Sequence, residues 1–338
     1  MQIIILSQAE IKKVLKFDQV IEGVRKLYCQ KSKENTVVWP SIEYHFQEEK
    51  AVMDIRSGYI KGEKLHGAKM LNNFPLNSNI GFPSFSGMLL VFDSTTGMPL
   101  GVMDASYITS MRTGAAAALG VKSLARKDSE NLLLVGAGHQ AFYMLAATLI
   151  EMPQIKNVRV IDPINYENAV KFTDSIISRL KDEQNIDVKE KVKFSPVNNM
   201  ADVLQDTDVV ITITRSTSPI IKKEWVKPGT HFSCIGADMI GKEEIDPEIF
   251  RSARSFADDT TQCIGFGEME IPYKMGIITK DSIAGELGEV LSGKKEGRLS
   301  ANDITVFDAT GLALLDLVTG KIAIDLAKEK GFGTIVEI

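Results

Sequence analysis

The sequence predicts an α/β protein in which a doubly wound parallel sheet is accompanied by a second domain rich in strands. Its 338 residues are 44% hydrophobic and 25% charged, which is typical of a globular chain with one large or two medium domains. From residue 131 onward, apolar strands alternate with helical segments, the pattern of a parallel sheet covered by helices on both faces. Residues 37–93 instead carry short mixed apolar runs with charged breaks, which predict a sheet-rich segment.

The first half of the chain contains predicted helices on either side of this segment. Between residues 7 and 28, apolar side chains recur every three or four positions, which predicts two helices with a break near Phe17–Asp18. The run GMLLVFD predicts a strand that enters the turn STTGMP. Residues 109–126 are rich in small residues and helix formers, so they predict a helix that connects two domains, with Thr109 or Ser110 as its N-cap.

The second half begins with the alternation itself. Strands are predicted at NLLLVGAG, NVRVID, VKFSPV, DVVITIT, THFSCIG and RSFADD, with a helix after each of the first two. The run ITVFDATG predicts one more strand, followed by a helix over residues 312–330. The final run, TIVEI, predicts a short strand that we expect to return to the first domain.

Composition restricts the partners and the compartment. The net charge is −5 and the 39 basic residues are scattered, so we expect a small-molecule partner and neither nucleic acid nor membrane. The apolar run before Ser7 is too short for a signal peptide, and no other run approaches the length of a membrane span. Cys29, Cys234 and Cys263 are far apart and the histidines lack ligand spacing, which predicts reduced thiols in the cytoplasm and no metal site.

The strongest local motif is the run LLLVGAGHQA at 132–141, where an apolar strand leads through GxGxxA into a helix. Gly136 permits the tight turn, Gly138 lets a pyrophosphate approach the backbone, and Ala141 keeps the helix close to the strand. About twenty residues later the next strand ends in Asp162, where a carboxylate accepts hydrogen bonds from ribose and repels a 2′-phosphate. The motif predicts a Rossmann-type site for NAD rather than NADP. A glycine turn without a dinucleotide is the alternative.

Five ordered stretches resemble the ornithine cyclodeaminase/μ-crystallin family. They span about residues 67–316 and read GAKMLNNFPLN, GFPSFSGMLLVFDSTTGMPLGVMDASYITSMRTGAAAALG, LLLVGAGHQA, HFSCIGADMIGKEEID and ITVFDATGLALLDL. The resemblance implies a Rossmann doubly wound parallel sheet inserted in a mixed α/β substrate and dimerisation domain that is built from both chain ends. We therefore predict a homodimer, a substrate-binding and dimerisation domain over 1–112 and 312–338, and an NAD-binding domain over 113–311.

Three positions match the catalytic pattern of that family. The resemblance implies that Lys69 is a catalytic residue that faces the substrate near its carboxylate, where it binds this group and polarises an imine or water. It also implies that Arg112 lies near this carboxylate and the cofactor phosphates, and that Asp238 moves the proton of the reacting nitrogen. The alternatives are a solvated lysine, a salt bridge between domains and a helix N-cap, respectively. The residues assigned to the cofactor site are Arg112, Thr113, Gly136, Ala137, Gly138, His139, Gln140, Asp162, Thr212, Thr214 and Gly236.

One segment departs from the family. Many members carry an Arg or Lys shortly after a proline on the first sheet strand, where it holds the substrate carboxylate, but residues 37–43 read VVWPSIE. Arg56 lies on the predicted neighbouring strand. It either supplies the missing charge or forms a surface salt bridge.

The resemblance implies a function at a carbon–nitrogen bond. We favour an NAD-dependent oxidoreductase that interconverts a small α-amino acid and its α-imino or 2-oxo acid. The stretches DASYITSMRTGAA and GADMIGKEEID are most similar to the alanine dehydrogenase and imino-acid reductase branch. One alternative is an ornithine cyclodeaminase, which recycles NAD and releases ammonia, and another is a μ-crystallin-like ketimine reductase or binding protein.

Overall fold

The computed structural model describes residues 2–188 and 191–338. Its helices are α1 Gln8–Val14, α2 Phe17–Lys31, α3 Ser106–Leu124, α4 His139–Glu151, α5 Tyr166–Gln184, α6 Ala201–Leu204, α7 Thr260–Phe266, α8 Glu270–Lys274, α9 Leu287–Leu291 and α10 Ala313–Lys330. Its strands are β1 Gln2–Leu6, β2 Thr36–Val38, β3 Ile42–Phe46, β4 Ala51–Ile60, β5 Leu65–Asn73, β6 Phe85–Asp93, β7 Pro99–Asp104, β8 Asn131–Val135, β9 Asn157–Ile161, β10 Lys193–Pro196, β11 Val209–Thr212, β12 Thr217–Ile221, β13 His231–Cys234, β14 Glu243–Ile245, β15 Arg254–Ala257, β16 Gly285–Glu286, β17 Thr305–Asp308 and β18 Thr334–Glu337.

Helix α3 starts earlier than its composition predicts. The Asp104 carboxylate, at the end of β7, accepts the backbone N–H of Ser106 at 3.0 Å, and the helix runs on from Ser106. Thr109 and Ser110 are buried inside it. The prediction that one of them is the N-cap is therefore wrong, because the acceptor for the first turn comes from the preceding strand.

The chain divides into two compact units, Met1–Arg112 with Leu312–Ile338 and Thr113–Gly311. In the described part of the first unit, the strand order of the sheet is β18-β1-β7-β6-β5-β4-β2, and β3 also pairs with β4. Strand β18 is antiparallel to β1, with Ile3 opposite Val336. The predicted return of the C-terminal strand to the first domain is confirmed.

One face of this sheet lies directly against α10. A Cβ at Gly67 of β5 would lie 2.6 Å from Leu317, and one at Gly320 of α10 would lie 2.5 Å from Leu89 of β6. Such close packing needs residues without a side chain at these positions. Because side chains alternate across a strand, Lys69 points to the same covered face as Gly67.

The second unit contains a parallel sheet with the order β10-β9-β8-β11-β13-β17-β15-β16. Strand order reverses between β8 and β11, as it does at the ligand-binding crevice of doubly wound folds. Phe232 on one face lies in a core with Cys263 of α7. On the other face, a Cβ at Gly120 of α3 would lie 2.3 Å from the Phe307 ring. The predicted Rossmann-type doubly wound sheet is confirmed.

Two further properties concern both units in the part of the chain that the structure describes. Over residues 2–188 and 191–338, none of the helices combines the length and the apolar character that crossing a membrane requires. In these same residues, no group of three or more His, Cys, Asp or Glu side chains is arranged to hold a metal ion. Cys29, Cys234 and Cys263 are free thiols.

Candidate functional site

The first unit contains a group of buried charges. Lys69 on β5 is 1% exposed, and its Nζ donates to Asp316 Oδ2 of α10 at 2.8 Å. The Nε of Arg112 donates to the other oxygen of Asp316 at 3.2 Å. We call Lys69, Arg112 and Asp316 the buried triad. The alternative of a solvated Lys69 is wrong, because the side chain of this lysine is enclosed and paired.

The electrostatics of the buried triad suit an anionic ligand. Burial, with a smaller contribution from the nearby Arg112 and Arg56, lowers the pKa of Lys69 to about 7 even though Asp316 opposes the shift. Burial alone would raise the pKa of Asp316, but Arg112 and Lys69 outweigh it and hold that pKa below its usual value. With Lys69 protonated, two cations share one carboxylate, so the triad carries one net positive charge that a second carboxylate can neutralise.

Sequence reasoning missed Asp316. A usable signal exists, since this aspartate interrupts the apolar run LALLDLV at the start of α10. A carboxylate on a buried helix face requires cationic or hydrogen-bonding partners. The identity of those partners could not be read from the run, because Lys69 lies 247 positions away in the chain.

Arg56 stands directly opposite Lys69 in the register of β4 and β5, so the two side chains share one face of the sheet. The prediction that Arg56 lies on a neighbouring strand is confirmed. Its Nε donates to Asp54 Oδ2 at 2.6 Å, and the exposed fractions of the two side chains are 16% and 15%. Arg56 thus forms a salt bridge that is half-buried, in contrast to the surface pair that was the alternative. Its role toward a substrate carboxylate stays a prediction.

In the second unit, the glycine loop lies where the strand order reverses. Gly136 has a φ of +105°, and a Cβ there would lie 2.6 Å from the carbonyl oxygen of Ile213, so both torsion and space require glycine. The N-cap of α4 is Gly138, so no side chain caps the first turn of this helix. A Cβ on Gly138 would meet no atom within 4 Å. Open space thus lies beside Gly138 at the start of α4, which is where doubly wound folds place the pyrophosphate of a dinucleotide.

Asp162 lies beside this loop, but it does more than the sequence predicted. Its Oδ2 accepts the backbone N–H of Ala137 at 3.3 Å, and its Oδ1 accepts those of Ile164 and Asn165 at 3.1 and 3.0 Å. The carboxylate therefore ties the glycine loop to the loop that leads into α5. Its place next to the glycine loop is where a ribose-binding carboxylate is expected.

The ends of β11 and β13 carry the remaining residues assigned to the cofactor. Thr212 is the last residue of β11, Thr214 lies two residues beyond it, and Gly236 lies two residues beyond the end of β13. The buried carboxylate of Glu244 accepts hydrogen bonds from all three. Sequence reasoning missed Glu244, which is one of two adjacent glutamates in GKEEID. Thr113 is the first residue of the second unit, within α3.

Asp238 lies in the loop between β13 and β14. Its side chain is 44% exposed, and its Oδ1 accepts a hydrogen bond from Lys242 Nζ at 2.5 Å. The same ammonium donates to the carbonyl oxygen of Gly236 at 3.3 Å. The next element along the chain is the strand β14, so the helix-cap alternative for Asp238 is wrong.

Known proteins resemble this chain over nearly its whole length. A model of the ornithine cyclodeaminase/mu-crystallin family matches residues 1–331. The chain belongs to this family. The resemblance inferred from five stretches is therefore confirmed, and it extends well beyond them. Alanine dehydrogenase of Archaeoglobus fulgidus is 33% identical to this chain over 337 residues, which cover 100% of this chain and 99% of the dehydrogenase.

Solved structures also match this chain over nearly its whole length. An archaeal alanine dehydrogenase dimer with bound NAD matches with a TM-score of 0.91 and 31% identity, over 100% of both chains. Delta(1)-pyrroline-2-carboxylate reductase of Thermococcus litoralis, in complex with NADH and L-proline, matches with a TM-score of 0.89 and 30% identity. That match covers 98% of this chain and 99% of the reductase.

Proposed function

We propose that this protein is an NAD-dependent oxidoreductase that interconverts a small α-amino acid and its α-imino or 2-oxo acid. The observation that carries the proposal is the buried triad, in which Lys69 and Arg112 share the carboxylate of Asp316. Full-length relatives named alanine dehydrogenase and pyrroline-2-carboxylate reductase support it. Both names describe hydride chemistry at a carbon that bears nitrogen.

The buried triad is proposed to bind the substrate carboxylate. Lys69 offers an ammonium and Arg112 a planar guanidinium, and the two cations exceed the charge of Asp316 by one unit. Arg56, opposite Lys69 on the same face of the sheet, is proposed to take part in place of the base that residues 37–43 lack. An α-amino or α-imino acid with one carboxylate matches this charge.

Asp238 is proposed to move the proton of the substrate nitrogen. An amine loses hydride from its carbon only when the nitrogen is unprotonated, and an imine accepts hydride far better when its nitrogen carries a proton. A carboxylate that is partly exposed and paired with Lys242 can serve in both directions. It also stabilises the positive charge of an iminium.

NAD fits the residues of the second unit and, when bound, accepts or delivers the hydride. The amides at the start of α4 suit its pyrophosphate, Asp162 suits the ribose, and the open backbone at Gly138 leaves room for close approach. The residues proposed to hold it are Arg112, Thr113, Gly136, Ala137, Gly138, His139, Gln140, Asp162, Thr212, Thr214 and Gly236.

The charge of Asp162 should favour NADH over NADPH. Asp162→Asn keeps one of the two acceptor oxygens and removes the negative charge that repels a 2′-phosphate. We expect the ratio of kcat/KM for NADH to that for NADPH to fall by about tenfold, since one charge contact is worth about that much. Wild-type protein that uses NADPH as well as NADH would contradict the role of Asp162.

We also propose a homodimer formed through the outer face of the first sheet. Ile42, Ile55, Met70 and Met88 stand opposite one another on four strands and form one apolar row. Three of these side chains are 41% to 59% exposed, and exposed apolar rows of this kind mark protein interfaces. The dimeric alanine dehydrogenase, a full-length structural match, supports a second copy of this chain as the occupant.

Sedimentation at low micromolar concentration tests the dimer. We expect twice the chain mass of 37.2 kDa for wild type and a monomer for Met88→Asp, which places a charge within the apolar row. Met98→Asp is the matched control, because Met98 is 48% exposed against 55% for Met88 but lies in the turn before β7. A wild-type monomer would refute the proposed interface.

The function itself is tested by a substrate screen. Purified protein is incubated with NAD and amino acids, or with NADH, 2-oxo acids and ammonia or amines, while NADH absorbance and free ammonia are both recorded. A dehydrogenase or reductase changes NADH in proportion to product. Ammonia release from ornithine without net NADH would identify a cyclodeaminase instead, and cofactor binding without turnover would identify a binding protein.

We propose a cytoplasmic location. The free thiols of Cys29, Cys234 and Cys263 are consistent with a reducing compartment. Fractionation of the source cells, with the protein traced by antibody, tests the location. Recovery outside the cytoplasmic fraction would contradict it.

A further inference from the structure

We propose that Glu244 is the positioning residue of the cofactor site, a single buried carboxylate that holds the ends of β11 and β13 together. The inference rests on the proposed function, because Thr212, Thr214 and Gly236 are the residues proposed to hold NAD. Glu244 itself acts through these three residues.

The geometry around Glu244 supports this role directly. Its Oε2 accepts the hydroxyl of Thr212 at 2.6 Å and the backbone N–H of Gly236 at 2.9 Å. Its Oε1 accepts the backbone N–H of Thr214 at 2.6 Å. Strands β11 and β13 are parallel neighbours, with Thr212 opposite Cys234. Both therefore end at the edge of the sheet where doubly wound folds bind their ligands.

Gly236 provides a second observation. A Cβ on this residue would lie 2.5 Å from Glu244 Oε1 and 2.5 Å from the carbonyl oxygen of Thr214. Any residue with a Cβ at this position would displace the Glu244 carboxylate from the loop. The glycine is thus required by the close approach of Glu244 to the backbone.

Two other buried glutamates accept backbone N–H groups from Glu244 and from the loop that precedes it. Glu268 Oε1 accepts the backbone N–H groups of Glu244 and Ile245 at 2.9 and 2.7 Å. Glu270 Oε2 accepts the N–H of Gly241 at 2.8 Å. The loop that carries Asp238 is therefore bound at its start by Glu244 and near its end by Glu270. Glu244 fixes the start of this loop against Thr212 and Thr214 at the end of β11.

Glu244→Gln tests the role with little change in volume. The amide replaces one acceptor oxygen by a donor, so at least one of the three groups loses its acceptor in a buried site. We expect the Kd for NADH, measured by nicotinamide fluorescence, to rise by about tenfold, the consequence of one unsatisfied buried group. Far-UV circular dichroism should stay that of the wild type, because the sheet itself keeps its hydrogen bonds.

Glu243→Gln is the matched control. It removes the same charge from the adjacent residue of β14, which is also buried, but it leaves the three hydrogen bonds of Glu244 in place. We expect its Kd for NADH to stay within about twofold of wild type. Should Glu244→Gln fail to fold, Thr212→Val removes only the hydroxyl bond, and we expect a rise of about threefold.

The outcomes separate the two proposals. If wild-type protein binds no NADH, the proposed function fails. If wild type binds NADH and both Glu244→Gln and Thr212→Val bind it equally well, the positioning role is wrong while the function stands. If Glu243→Gln weakens binding as much as Glu244→Gln, a general loss of charge on β14 explains the effect and the inference is overturned.

Discussion

The buried triad and the Asp238 loop hold charge in opposite ways. Lys69 and Asp316 are almost fully enclosed and pair with each other, whereas the side chain of Asp238 is 44% exposed and pairs with the ammonium of Lys242. Removing a partner from an enclosed pair leaves a charge without water or counterion, while an exposed carboxylate stays solvated. The difference suits two tasks, since binding a carboxylate needs fixed charges and carrying a proton needs a group that can change its state.

The largest effect is expected from a substitution that removes Asp316 from the buried triad. Asp316→Ala leaves the enclosed Arg112 without its carboxylate and removes the group that favours the charged form of Lys69, so we expect a loss of about 3–5 kcal/mol in the free energy of unfolding, measured with urea at pH 7. Because the pKa of Asp316 is held below its ordinary value of 3.8, its stabilisation is present above that value and is lost as the pH falls through the folded pKa. The difference between wild type and variant should shrink accordingly in acid.

A matched control lies on the same helix. Asp325 of α10 pairs with Lys321 at the surface, and its side chain is 56% exposed. Asp325→Ala should cost less than about 1 kcal/mol, as is usual for an exposed pair. If the two variants were equally stable, burial would not distinguish the triad from a surface ion pair, and the comparison would fail.

The next largest effect is expected at Asp238, the partly exposed carboxylate. Asp238→Asn keeps the size of the side chain but removes its charge and basicity, so we expect turnover to fall by about 100-fold or more. The Kd for NADH and the stability should hardly change, because the carboxylate is solvated. Steady-state kinetics with the best substrate, together with NADH titration, measure both. Asp206→Asn, an exposed ion-pair residue of the same unit, serves as control, and near-normal turnover of Asp238→Asn would exclude the proton-transfer role.

A smaller effect sharpens the role of Lys69. Its pKa of about 7 lies below the ordinary value for lysine, so the charged form is lost as the pH rises through 7. The affinity of the enzyme–NADH complex for an unreactive carboxylate such as propionate should therefore fall by about tenfold between pH 6 and pH 9, levelling off because Arg112 stays charged. In Lys69→Arg the guanidinium stays protonated. We expect its affinity to be nearly independent of pH over this range, as fluorescence titration would show, whereas a fall like that of wild type would assign the titration to another group.

Local patterns in the sequence were enough to predict the Rossmann-type fold and the glycine loop. The alternation of strands and helices after residue 131 and the GxGxxA run are contiguous, and their spacing follows from the geometry of strand, turn and helix. The two helices before residue 28 were equally readable. Strands β1 and β7 were not predicted, because each is defined by its neighbours in the sheet more than by its own pattern.

By itself, the sequence determined the class of the fold and the family, and it singled out Lys69, Arg112 and Asp238 as candidate site residues. Only the tertiary structure decided what surrounds them, that Lys69 is enclosed by Asp316 and that Glu244 joins the ends of two strands. The partners of Lys69 and Thr212 lie 247 and 32 positions away. Contacts across such distances are selected by the packing of helices and strands, and packing leaves no periodic trace in the order of residues. The same packing sets how far each charge is removed from water, and it thereby lowers the pKa of Lys69.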